Sequence, residues 1–74
     1  MEILKIERVE HVSREEAAAR LRAIADALAV HNDVEMEWAG KRLTVHVADQ
    51  VRLEIEIEVG DDETEVEIEL KWPR

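Results

Sequence analysis

An α+β fold is predicted for this chain: a single layer of five mainly antiparallel strands, in chain order β-α-β-β-β-β, with one helix packed on the apolar face. Three observations predict it. A stretch opening at Ser13 carries apolar residues at helical spacing, four later segments carry them at every second position, and short polar links join those segments. The 74 residues make one domain, 1–74, near the size at which a single core only just outweighs chain entropy.

Taken in order, "EILKIERV" reads as the first strand, with Leu4 and Ile6 inward and Ile3 and Val9 pointing the other way. It can pair in parallel beside the second strand or antiparallel beside the fifth, the latter being preferred. Ser13 and Glu16 form a capping box, which starts a helix at Arg14. Ala17, Leu21, Ile24, Ala25 and Leu28 share one arc of that helix, while Glu15, Arg22 and Asp26 lie away from it. The helix ends near Val30, where Asn32 offers a left-handed residue. Four strands follow, with Val34, Met36 and Trp38, then Leu43, Val45 and Val47, then Val51, Leu53, Ile55, Ile57 and Val59, then Val66, Ile68, Leu70 and Trp72 on their inner faces. The links "AGKR", "ADQ" and "GDDE" are short enough for hairpins, so the four strands form an antiparallel meander, which Pro73 ends.

Pairing Val59 with Thr64 matches the inner face of the last two strands throughout and sets Glu58 opposite Glu65, Glu56 opposite Glu67, Glu54 opposite Glu69 and Arg52 opposite Lys71. Like charges about 5 Å apart cost about 0.8 kcal/mol per pair at high dielectric, and salt screens much of it. A slip of two residues would put Glu54 against Lys71 but needs a six-residue loop, so the first register is preferred.

With 46% hydrophobic residues and strong periodicity the chain is folded, despite a net charge of −9. It has no cysteine, so neither disulfides nor thiolate metal sites supplement a small core. Residues 1–10 lack the pattern of a signal peptide, and no apolar run approaches the roughly 20 residues of a membrane helix, so a cytoplasmic protein is expected. Nineteen acids against ten bases disfavour direct nucleic-acid or membrane binding; a basic partner or none fits better.

"SREEAAARLRAIADAL", "VRLEIEIEV" and the terminal "VEIELKW" together resemble the amphi-Trp domain family over nearly the whole chain. The resemblance implies a small α+β domain that begins its helix with a Ser-Arg-Glu-Glu type motif and finishes on a Glu-rich amphipathic strand closing in Trp, here Trp72. Val47–Asp49, "VAD", departs from the pattern where a Pro is expected before the Asp. The resemblance supplies no catalytic residues.

Two candidate surfaces follow. Glu35, Glu37, Glu54, Glu56, Glu58, Glu65, Glu67 and Glu69 form an acidic face. It is read first as a solvated face that keeps a flat sheet soluble, then as a surface for a basic protein, with DNA mimicry as the extreme form. Mutual repulsion should raise some of these carboxyl pKa values. Weak Ca²⁺ or Mg²⁺ binding is a further alternative, with Asp61, Asp62 and Glu63 in the turn as the best ligands, but a flat strand fans oxygens out. Leu43, Val45, Leu53, Ile55, Ile57, Ile68, Leu70 and Trp72 form the second surface, a self-association face. A five-strand sheet is about 24 Å wide and a helix about 10 to 12 Å across, so one helix cannot cover it. A second copy or strong curling of the sheet must do so.

His11, His31 and His46 are far apart, His46 facing outward beside Glu35 and Arg52. Ser13 is a cap and not a nucleophile, and Trp38 and Trp72 are packing residues or interface anchors. The expected function is a non-enzymatic protein-interaction or assembly module, without cofactor or metal, forming a homo-oligomer in which a dimer is favoured.

Overall fold

The structure, a computed structural model, describes residues 2–74. Helix α1 (Arg14–His31) comes first, followed by β1 (Asp33–Trp38), β2 (Lys41–His46), β3 (Arg52–Val59) and β4 (Thr64–Lys71). The fold is α+β with antiparallel pairing, but it has four strands in two separate two-stranded sheets, β1 with β2 and β3 with β4.

The helix begins where the capping residue sets it. Ser13 is extended, and its Oγ accepts the Glu16 N–H at 3.0 Å. The return arm of the capping box is not made: the Glu16 carboxylate instead accepts from Arg20 Nε at 3.2 Å, one turn on. The helix closes at His31, one residue past the expected end, on Asn32 in the left-handed region (φ 57°), where a short polar side chain tolerates that backbone.

The expected first strand is absent, so the chain order is helix first. Residues 2–12 pair with nothing; Ile3, Leu4 and Val9 are exposed and only Ile6 is half-buried. With apolar residues on both sides, this segment has no single face for a sheet to bury. Its polar residues tie it to the helix, Glu10 bridging Arg8 at 2.9 Å and also Arg20.

β1 and β2 form a tight hairpin. Val34 faces Val45, Met36 faces Leu43 and Trp38 faces Lys41. The loop is only Ala39-Gly40, both with positive φ (52° and 75°), the primed turn whose twist suits adjoining strands. β1 lies against α1, and there the half-buried Ala27, Leu28, Val34, Met36 and Leu43 gather. Val47 alone is buried among the described residues. Trp38, expected on an inner face, is exposed at the mouth of the turn.

The meander breaks between β2 and β3. The Val47 N–H donates to the Asn32 carbonyl at 2.9 Å, the next rung of the β1–β2 ladder after Asp33 opposite His46, and so satisfies a helix-terminal acceptor. β3 begins at Arg52, beyond residues 47–51, and pairs with β4 and not with β2, so each strand keeps one open edge.

The β3–β4 hairpin has the expected register throughout, from Arg52 opposite Lys71 to Val59 opposite Thr64. Its loop closes with Gly60 N–H donating to the Glu63 carbonyl at 2.9 Å.

Candidate functional site

Period-two alternation gives β3–β4 two chemically opposite faces, and the packing leaves both open. On the apolar face Leu53 pairs with Leu70, Ile55 with Ile68 and Ile57 with Val66. Exposure rises toward the tip: Leu53 57%, Ile55 63%, Ile57 70%. Leu70 and Trp72 at the root are half-buried; Leu70 and Val51 share a cleft of about 240 Å³ with Leu28, Asn32 and Val47. The predicted self-association face is thus divided. Leu43, half-buried, and Val45, exposed, belong to the β1–β2 hairpin, whereas Leu53, Ile55, Ile57, Ile68 and Leu70 lie in the other sheet, with Trp72 just beyond β4.

The acidic face is divided in the same way. Glu35 and Glu37 stand on β1 opposite Thr44 and Arg42, and Arg42 Nε approaches Glu35 at 3.8 Å. The other six face one another in like-charge pairs across β3 and β4. Compensation runs along each strand at the root: Arg52 Nη2 meets Glu54 at 3.1 Å and Lys71 Nζ meets Glu69 at 3.3 Å. Glu56, Glu58, Glu65 and Glu67 have no cation within ion-pairing distance among the described residues. The Glu67 carboxyl is held above its ordinary value, first by the Glu65 charge and then by Glu56. Asp61, Asp62 and Glu63 add charge at the tip, so residues 52–71 hold nine acids and two bases, a net −7 of the chain's −9.

Among the described residues no three His, Asp or Glu side chains converge to hold a metal ion. His46 sits opposite Asp33 rather than beside Arg52, because β2 and β3 are not neighbours. Ser13 Oγ is engaged at the helix start. Sequence reasoning missed an open hollow between the helix and β1, floored by Ala23, Ile24, Ala27 and Val34 and rimmed by His31, Asp33 and Glu35. Its signal was the second alanine row of the helix, which lets β1 approach.

The chain exposes 7183 Å². A compact folded monomer of 8.6 kDa is expected to expose about 4,700 Å², so about 2,500 Å² more remains in water than its mass calls for. No helix among the described residues is long and apolar enough to cross a membrane.

The family model of the Amphi-Trp domain matches residues 1–74. No curated protein and no solved structure matches the chain.

Proposed function

The chain belongs to the Amphi-Trp domain family, and from that premise we propose that it is a non-enzymatic interaction and assembly module that self-associates, as a dimer, through the apolar face of β3–β4. A cytoplasmic setting is part of this proposal. The observation that carries it is the open apolar face of Leu53, Ile55, Ile57 and Ile68, on a chain that exposes more surface than its mass calls for. A stable interface of obligate type buries on the order of 1,000 to 2,500 Å² per chain, the same range as the surplus. A contiguous exposed apolar face of this kind is uncommon on a chain that works alone. Light scattering at micromolar concentration tests the reading. A mass near twice 8.6 kDa supports it, provided that Leu53→Glu or Ile55→Glu returns the chain to one copy while helical circular dichroism survives. A wild-type mass near 8.6 kDa overturns it.

A second reading rests on a separate observation, the four unpaired glutamates on the outer face. It makes that face a docking surface for a basic protein, steered by the −7 charge, with DNA mimicry as its extreme. A tagged chain should then retain a basic protein from its native cells, and Glu56→Gln with Glu67→Gln should release it. Equal retention by both chains would discard this reading.

A further inference from the structure

We infer that two copies exchange hairpins, the β3–β4 hairpin of each lying over the apolar stripe of the other's helix, so that Ile55 and Ile57 meet Leu21 and Ile24. This rests on the self-association proposed above and names the surface that receives the hairpin.

Each chain carries two unmatched apolar surfaces. One is the hairpin face; the other is the helical stripe of Leu21 (51% exposed) and Ile24 (42%), which β1 does not cover. Within one chain they are held apart by the best-packed part of the molecule. Val47 is buried with its N–H on the Asn32 carbonyl, and Leu70 and Val51 at the hairpin root share a cleft with Leu28. Swinging the hairpin back over its own helix would dismantle that root, whereas a second copy fills both surfaces and leaves it intact.

Charge selects the helix over a second hairpin. A second hairpin would bring another −7 and no free cation, since Arg52 and Lys71 are paired with Glu54 and Glu69 on their own strands. Residues 8–22 instead hold four arginines and three glutamates, and Arg22 has no carboxylate within ion-pairing distance among the described residues. Arg14, seven residues before Leu21 and so on the same side of the helix, is the cation that the partner's acidic tip, Asp61 to Glu63, would meet. The exchange is reciprocal, so both copies satisfy both surfaces and the assembly closes at two.

The test is an isotope-filtered NMR experiment on wild-type protein, mixing a ¹³C-labelled copy with an unlabelled one. Intermolecular contacts between the methyls of Ile55 or Ile57 and those of Leu21 or Ile24 are expected. As a second measurement, the cysteine-free chain allows Leu21→Cys and Ile57→Cys to be made in separate molecules and joined by a flexible bis-maleimide. The mixture should give a covalent two-chain product, and Ile57→Cys alone should not. Intermolecular contacts only between hairpins, or a product from Ile57→Cys alone, would overturn the exchange while leaving self-association standing. Helix-to-hairpin contacts found only within one copy, in a particle of two-chain mass, would do the same. A particle of 8.6 kDa would remove both.

Discussion

The two hairpins are built on one plan and meet different fates. β1–β2 has strands of six residues, a two-residue turn and a helix against it, and most of its inner residues are half-buried. β3–β4 has strands of eight residues and an unbroken apolar register, yet its middle is exposed, covered by nothing among the described residues. The better-patterned element is the less buried one. Pattern therefore measures how well two strands suit each other, while burial depends on a third surface, which the first hairpin finds in α1 and the second does not find among the described residues. An isolated two-stranded hairpin is marginal in water, so this difference bears on stability as well as on shape.

Ile55→Glu is the largest break in the comparison. A carboxylate on the uncovered face should raise the dissociation constant of the assembly by at least about 100-fold, checked by sedimentation across a concentration series. Next is Val47→Ala, which should cost about 2 kcal/mol in urea unfolding because it empties the one buried side-chain site. The same substitution at Val59, exposed beside the tip, should stay within about 0.5 kcal/mol. Equal costs would mean that the two hairpins are equally packed. Ser13→Ala should cost about 1 kcal/mol by leaving the Glu16 N–H without its acceptor, read from helix loss in thermal circular dichroism. Gly40→Ala, where an added Cβ meets nothing within 4 Å, should cost about 1 kcal/mol from the left-handed backbone alone.

The smallest effect is electrostatic and concerns the outer face of β3–β4. Glu67 has its carboxyl raised by neighbouring charge, so its ionised form opposes folding at neutral pH. As pH falls through the raised value toward the ordinary 4.5, the folded state takes up a proton first and gains stability. Glu10 acts in the opposite sense. Arg20 holds its carboxyl low, so its stabilisation is present above 4.5 and is lost as pH falls through the lowered value. The melting temperature should therefore rise from pH 7 to a maximum close to 4.5 and fall below it, and added salt should flatten the rising limb. A profile already flat between pH 7 and 5 would show that the outer face carries no net repulsion.

What could be read from the residues was what neighbours in sequence decide. The β3–β4 register was legible because every apolar residue finds an apolar partner around a four-residue link, and the slip that would relieve Glu54 asks for a longer loop. The helix start was legible from Ser13, and its stop from Asn32. The first strand was misread because alternation reports a face and not a partner: Ile3 and Val9 blur the face set by Leu4 and Ile6, and no strand edge takes the segment up. The meander was misread because a short link was taken to imply a hairpin, whereas the link between β2 and β3 leads into a strand that pairs only with β4, and nothing in "ADQ" announces the break. On the candidate surfaces, the outward glutamates and inward aliphatics were legible from period two. Their division between two sheets was not, nor was the relief of Glu54 and Glu69 by cations on their own strands.

Among the described residues, every strand pairs only with its neighbour in sequence. Such contacts form quickly, because the loops that must close are two and four residues long and hairpins assemble in about 1 to 10 μs. Backbone pairing is then complete long before two molecules at micromolar concentration can meet. If the chain self-associates as proposed, refolding should accordingly separate into a fast phase, indifferent to protein concentration and seen in the far ultraviolet, and a slower one whose half-time shortens as concentration rises, followed through Trp72 at the hairpin root.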